Sequence, residues 1–314
     1  MPGPALITVI IVSYNTSAIT LKCLCHLYNG TRIPLEVIVV DNASTDGSPQ
    51  AIRQAFPEVR VIRNDRNVGF SSANNQAMRI AHGEYFLLLN SDAYLLPGAL
   101  EKLTAFLQAH PQAGVAGPRL LNADGSLQPS CHHFPSPKRA WIENLWISTL
   151  LPNHPGLGNY WNWAHDRERF VDFVSGACML VRRATYEQIG GFDEMFFMYA
   201  EETDWQRRMR TKGWLTGFTP AGEAIHLGGS SGVASGIRRR VFESLDRYQY
   251  KHHGFSGLIS LRLAMAAGNL LRTCAWTFVL LVRPARRRQA LAKLKLAAWL
   301  LLRQTTHWRG VFFK

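Results

Sequence analysis

Residues 35–47 read LEVIVVDNASTDG. A largely apolar, β-branched run, Leu35–Val40, ends at Asp41, and a cluster of turn-forming polar residues follows. A run of this kind is expected of a strand covered on both faces. The pattern occurs twice more. Upstream, LITVIIVS (6–13) leads into Tyr14-Asn15, and downstream, YFLLL (85–89) leads into Asn90-Ser91-Asp92. Between them, Ala18–Tyr28, Ser48–Ala55 and Ser71–Ala81 read as helices, the last closed by Gly83. Val59–Arg63 reads as a short strand, and Pro97 opens a helix to about Ala109. Strands alternating with helices predict an α/β fold, a mostly parallel central sheet with helices on both faces. Polar residues after the carboxyl ends of such strands lie where open α/β sheets bind ligands.

After Val115 the pattern changes. Residues 122–170 are rich in Pro, His, Trp and Asn and have little periodicity, as expected of a functional loop region. Phe173–Arg182 is strand-like, Ala200–Lys212 reads as a helix ended by Gly213, and Trp214–Phe218 is strand-like again. The chain is thus expected to comprise 1–116, an α/β half carrying the first polar clusters, 117–235, a second half, and 236–314, a helical tail.

Charge sets the tail apart. The 314 residues carry a formal net charge of +13. Residues 236–314 hold 16 Lys/Arg against 2 Asp/Glu, while 1–235 are near neutral, with 19 against 20. A basic tail is attracted to an anionic surface, either lipid or nucleic acid. Leu258–Val282 is apolar apart from interruptions that include Arg262 and Arg272. Arg272 lies near the middle of any span, at a cost of about 2.5–3.5 kcal/mol. Arg272 and Arg283 share one helical face, so a helix lying in the membrane interface, arginines toward headgroups, is expected, with a second over Leu291–Leu302. An anionic membrane surface is the expected partner, with no nucleic acid expected. The five cysteines lack a metal-site spacing and read as reduced thiols of a cytosolic compartment. The apolar run Ala5 to Val12 has no basic flank and is too short for a signal peptide, so a buried strand is expected.

Two further segments carry candidate chemistry. Glu201-Glu202-Thr203-Asp204 opens a helix behind the aromatic run Phe196-Phe197-Met198-Tyr199. Acidic residues suit a helix's first turn on dipole grounds alone. A partly desolvated carboxylate there also suits a general base. Ile225-His226-Leu227-Gly228 places a histidine beside glycines that let backbone approach a phosphate. Asp92 at a strand end is suited to hold Mg²⁺ or Mn²⁺ against a diphosphate, with a second ligand required from elsewhere. Each cluster also has a structural reading, as an Asx turn or a strand stop.

Taken in series, these segments resemble the family 2 glycosyltransferases of the GT-A fold, in particular their bacterial rhamnosyltransferase-like members. The resemblance rests on VIIVSYN (9–15), VDNASTDG (40–47), NVGFSSANN (67–75), LLNSDA (88–93), GPRLLNADGSLQPS (117–130), FVSGACMLVRR (173–183), GGFDEMFFMYAEETDW (190–205) and HLGGSS (226–231). It implies a nucleotide-sugar-binding half at 1–116, an acceptor-binding and catalytic half at 117–235, and a nucleotide-diphosphate sugar donor. Asp41 would contact the base, with Ser13 and Asn15 nearby, and Asn67, Gly69, Asn74 and Ser91 would line the nucleotide site. Asp92 and His226 would bind Mg²⁺ or Mn²⁺, with Asn90 standing where a fuller motif has Asp. Glu202 falls at the catalytic-base position, where the family has Asp, and Glu201 beside it leaves the assignment open between the two. The branch suggests inverting transfer from deoxythymidine-diphosphate rhamnose, in cell-surface glycan synthesis. The expected acceptor is lipid-linked or a polysaccharide, and the expected location is the cytoplasmic face of the plasma membrane, as a peripheral protein. A UDP-hexose or galactofuranose donor is the enzymatic alternative, and a membrane- or nucleic-acid-binding adaptor the non-enzymatic one. Trp141, Trp146, Trp161 and Trp163 offer either an acceptor platform or core packing. No GxGxxG follows the first strand, which argues against a dinucleotide-dependent oxidoreductase.

Overall fold

The computed structural model describes residues 6–228 and 234–306. Among the described residues twelve strands run in chain order: β1 Ile7–Ser13, β2 Leu35–Asp41, β3 Arg60–Arg63, β4 Tyr85–Asn90, β5 Ala93–Leu95, β6 Ala113–Leu121, β7 Leu127–Gln128, β8 Cys131–His132, β9 Arg169–Val171, β10 Phe173–Val174, β11 Cys178–Arg182 and β12 Leu215–His226. The helices are α1 Ser17–Gly30, α2 Ser48–Ala55, α3 Phe70–Met78, α4 Ala99–Ala109, α5 Pro137–Asn144, α6 Ile147–Leu150, α7 Arg183–Ile189, α8 Glu201–Thr211, α9 Ala234–Val282 and α10 Arg287–Thr306. Contacts divide the chain into two compact units, Met1–Phe134 with Trp163–Val241, and Pro135–Asn162 with Phe242–Lys314.

The first unit is built on one sheet in the order β3-β2-β1-β4-β11-β6-β12-β5. β1, β2, β3 and β4 are parallel, as the alternating sequence predicts. β11 runs antiparallel between β4 and β6, and β12 returns parallel to β6. Both faces are covered. Ile7, Val9 and Ile11 of β1 pack in a cluster with Cys23, Leu24 and Leu27 of α1, Ile52 of α2, and Leu100, Leu103 and Leu107 of α4. On the other face Phe86 of β4 meets Tyr186 of α7 edge-on, ring centroids 5.3 Å apart. The two halves expected at 1–116 and 117–235 share this one sheet.

Several elements depart from their expected bounds. The strand read over Phe173–Arg182 is interrupted. β10 pairs with β8 in a separate two-stranded sheet, β11 pairs with β4 and β6, and Ser175-Gly176-Ala177 separate them. The strand read over Trp214–Phe218 continues to His226, because β6 supplies a partner up to Leu121 across an irregularity between Thr219 and Glu223. Pro220 and Gly222 inside that irregularity masked the continuation in the sequence. The helix read from Pro97 begins at Ala99, after Gly98 at φ +76°.

The second unit holds α5, α6, α10 and α9 from Phe242 on. Ala140, Leu261, Ala264 and Met265 form its apolar core. Gly254, at φ +66°, breaks α9. Arg262 is buried and paired with Asp246 at 2.9 Å. Arg272 lies 5.8 Å from the Trp146 ring and 3.5 Å from Asn144 Oδ1, both within this unit. Residues Arg239–Val282 are long and apolar enough to cross a membrane by length and composition alone, with mean hydropathy 1.4 in the most apolar window.

Ile11 is fully buried in the larger core. Ile11→Ala should cost about 2–5 kcal/mol in a urea titration. An unchanged midpoint would remove β1 from the centre of the fold.

Candidate active site

The register of β1 brings three strand ends together. Ser13 pairs with Asp41 across the sheet, and Val12 pairs with Val40 on one side and Asn90 on the other. Beyond those ends a cavity of about 290 Å³ opens, lined by Tyr14, Thr16, Asn42, Asn67, Gly69, Phe70, Asn90, Ser91, Asp92, Phe197, Met198 and Arg240 among others. Asn15 joins the first two loops: its Oδ1 accepts from the Thr45 amide at 2.8 Å, and its own amide donates to Ser44 Oγ at 2.8 Å. Asn15 sits at φ +53° and Ala43 at φ +66°, conformations that cost a non-glycine residue about 1–2 kcal/mol. Gly69, at φ +89°, is required for a different reason. A Cβ there would lie 2.6 Å from the Phe197 carbonyl oxygen, and that carbonyl accepts the Phe70 amide at 2.7 Å.

The end of β12 delivers His226 to Asp92. β12 pairs with β5 so that His226 lies opposite Ala93, and the Leu227 amide donates to the Asp92 carbonyl at 3.0 Å. His226 Nε2 then lies 3.4 Å from Asp92 Oδ1 and 3.5 Å from Asn90 Nδ2. Gln128 orients the ring. Its Nε2 donates to Asn122 Oδ1 at 2.9 Å and to the His226 carbonyl at 3.1 Å, which leaves Oε1 to accept from His226 Nδ1 at 2.7 Å. A neutral imidazole that donates through Nδ1 presents a bare Nε2 lone pair. That lone pair faces a carboxylate oxygen, an arrangement suited to a shared cation. Neighbouring ligands on an octahedral Mg²⁺ ion stand about 3 Å apart. The spacing therefore fits Mg²⁺ or Mn²⁺. Among the described residues no group of three or more His, Cys, Asp or Glu gathers. Two protein ligands suit an ion that completes its shell with water and phosphate oxygens.

The third component is the start of α8. Tyr199 and Ala200, at φ +72° and +66°, turn the chain sharply into Glu201. Gln206 fixes α8 to β10, donating to the Val174 carbonyl at 2.8 Å and accepting its amide at 2.9 Å. A Cβ on Gly176 would lie 3.3 Å from Glu202 Cβ, so the gap between β10 and β11 accommodates this side chain. Glu201 is buried and Glu202 partly exposed. Each keeps one buried carboxylate oxygen without a hydrogen-bond partner among the described residues. Burial, and then the charge of Glu202, pushes the Glu201 carboxyl well above its ordinary value. Burial also raises Glu202, opposed by backbone amides at the helix start and at Gly176. Burial pushes the Tyr199 phenol up. Glu201, Glu202 and Asp92 add to that shift and Arg240 opposes it.

The Glycosyl transferase family 2 model matches residues 8–190. The chain belongs to this family. It is 33% identical over 235 residues to N-acetylglucosaminyl-diphospho-decaprenol L-rhamnosyltransferase of Mycobacterium tuberculosis, covering 69% of this chain and 75% of that protein. Among solved structures, the mannosyltransferase PcManGT from Pyrobaculum calidifontis, in complex with GDP-Man and Mn²⁺, aligns with TM-score 0.59 at 20% identity, over 96% of this chain and 88% of that one. Residues 1–349 of S. aureus TarS align with TM-score 0.52 at 16% identity, over 96% and 93%. These two likenesses concern the fold, which is GT-A-like.

Within this family 2 glycosyltransferase the residues singled out from sequence fall into two sets. Asn67, Gly69, Ser91 and Asp92 line the cavity. Ser13, Asn15, Asp41, Asn74, His226, Glu201 and Glu202 do not. Ser13 Oγ is buried 3.1 Å from the hydroxyl of Thr16, which does line it. Asn74 Nδ2 donates to the Phe70 carbonyl one turn back in α3. Asp41 is fully buried. Its Oδ2 accepts the Ser44 amide at 3.0 Å, and its Oδ1 has no partner among the described residues. Sequence reading missed Tyr14, Asn42, Phe197, Met198, Gln128 and Arg240. All but Arg240 lie inside the quoted motif segments, so their positions were legible and their orientations were not. The tryptophans are divided between the two units. Trp141 Nε1 donates to Ser260 Oγ at 3.0 Å in the helical unit, whereas Trp163 stacks on His165 in the sheet unit.

A carboxyl whose folded-state pKa is raised above 4.5 loses stability for the fold as pH rises past that value, because the unfolded chain ionises first. Glu201→Gln should therefore match the parent protein's thermal stability near pH 4 and exceed it increasingly toward pH 8, by up to about 1.4 kcal/mol per pH unit until the folded-state group titrates. A constant difference across that range would place Glu201 in an ordinary environment.

Proposed function

We propose that this glycosyltransferase transfers rhamnose, with inversion, from deoxythymidine-diphosphate rhamnose to a hydroxyl of a lipid-linked or polysaccharide acceptor. The observation that carries the reading is the 33% identity to a rhamnosyltransferase over three quarters of that protein's length. That relative is named for an N-acetylglucosamine linked through a diphosphate to decaprenol, and the same lipid-linked acceptor class is assigned here. The nucleoside lies along Tyr14, Asn42, Asn67 and Gly69, with Ser13, Asn15 and Asn74 holding the loops that form its walls. The open Asp41 oxygen is assigned to a donor group of the base.

Asp92 and His226 would hold Mg²⁺ or Mn²⁺, whose charge would stabilise the departing diphosphate. Glu202 is the general base. It is the more exposed of the two glutamates, and burial raises its neighbour Glu201 more strongly. Its carboxylate takes the acceptor hydroxyl proton as the oxygen bonds to the anomeric carbon and the bond from that carbon to the diphosphate oxygen breaks. Desolvation raises the base above the ordinary glutamate range, toward the pH at which proton transfer is most effective. The tail supports work at a membrane surface. Leu263, Leu270, Phe278 and Leu281 form one exposed stripe of α9, followed by Arg283, Arg286, Arg287 and Arg288. An apolar stripe beside a cationic cluster suits an anionic, cytoplasmic leaflet bound peripherally.

Nucleotide release from a panel of sugar nucleotides, measured with Mn²⁺ or Mg²⁺ and a lipid-linked N-acetylglucosamine acceptor, tests the reading. Acceptor-dependent release from deoxythymidine-diphosphate rhamnose, abolished by chelation, is expected. Release from a UDP-hexose alone would replace the sugar and leave the family intact. Glu202→Gln should keep donor affinity and lose about 10²–10⁴-fold in kcat. Near-normal turnover in that variant would move the base elsewhere. In the parent, the acid limb of kcat should lie above the ordinary glutamate range, following the raised Glu202 carboxyl.

A further inference from the structure

The geometry points to Arg240, in the first part of α9, as a residue that grips the donor's diphosphate in the cavity that Asp92 also lines. This inference rests on the donor-site reading above and extends it into the C-terminal helix. Arg240 lines the same cavity as Asn90, Ser91 and Asp92. Among the residues named in that lining it is the only cation, and Asp92 is the only carboxylate. Its guanidinium lies 4.8 Å from the centroid of the Phe197 ring. No carboxylate pairs with it among the described residues. A stacked guanidinium keeps its donor fork free and loses little freedom when it binds, and that fork matches two phosphate oxygens.

Charge balance favours the same role. The diphosphate of a sugar nucleotide carries two negative charges. A divalent ion held by one carboxylate and one neutral imidazole contributes a net charge of one, so a second cation is needed. Asn90, standing where a second carboxylate would cancel the ion entirely, preserves that remainder. Arg240 supplies the other positive charge. Phe197 is the common support. Its carbonyl holds the start of α3, its ring packs against Gly69, and its face carries Arg240. Loop, nucleoside wall and diphosphate clamp are thereby linked through one residue. The C-terminal helix is then part of the donor site at its beginning, whatever its later turns bind.

The test uses the full chain and measures affinity for thymidine diphosphate and for thymidine, with Mn²⁺ present, by calorimetry or ligand-observed NMR. Arg240→Ala should weaken thymidine diphosphate tenfold or more and change thymidine less than twofold, which also reports that the variant is folded. Arg240→Lys should recover part of the loss, Phe197→Leu should produce a smaller one, and the gap between parent and Arg240→Ala should narrow at high salt. Equal thymidine diphosphate affinity in the parent and Arg240→Ala would overturn the role of Arg240 and leave the donor site standing. A parent that binds thymidine but gains nothing from the diphosphate would overturn it as well. A folded parent that binds neither would remove the donor-site reading and this inference with it.

Discussion

The backbone ladder that joins β1 to β2 on one side and β4 on the other sets where every polar group of the site begins. Because the three strands are parallel and in register, Ser13, Asp41 and Asn90 end on one edge. A shift of one residue in β1 would turn its buried side chains to the opposite face. Burial of Ile7 through Ile11, at about 1.5–3 kcal/mol for each large side chain, resists that shift. The apolar packing that stabilises the sheet therefore also aligns the loops around the cavity.

A second constraint acts from the other end of the sheet. β11 reverses direction beside β4, and β12 runs past β6 to pair with β5. That route carries His226 to Asp92 and leaves the gap at Gly176 where Glu202 packs. The residues at these junctions occupy costly conformations, Tyr199 and Ala200 among them. Buried carboxylates with open oxygens, Glu201, Glu202 and Asp41, lie at the same edge. Local strain and unsatisfied acceptors concentrated in one place are what a site shaped for a ligand, and stabilised by the surrounding sheet, would be expected to show.

Much of the parallel half of the fold was legible, because a doubly covered strand needs a continuous apolar run and its helix an apolar stripe, and both are local signals. β12 was read as five residues because Pro220 and Gly222 interrupt its pattern, although β6 holds the strand together across the irregularity. The break in the Phe173–Arg182 segment was hidden for the opposite reason, since apolar residues continue on both sides of Gly176. The neighbours of Arg272 inside the helical unit, Trp146 and Asn144, lie in a segment with little periodicity and left no local signal of the contact.

The sequence by itself determined the strand–helix alternation, the order of the polar segments and, through them, the family. The tertiary structure alone decided which of those segments meet. It placed His226 beside Asp92 with its ring oriented by Gln128, buried Glu201 more deeply than Glu202, and set Arg240 of a tail marked only by its charge over Phe197. The physical reason is one of range. Hydrophobic periodicity and turn chemistry act over a few residues and are written in the order of the chain. Cross-sheet register, desolvation and the facing of one charge toward another depend on residues far apart in sequence that only the completed packing brings within a few ångströms.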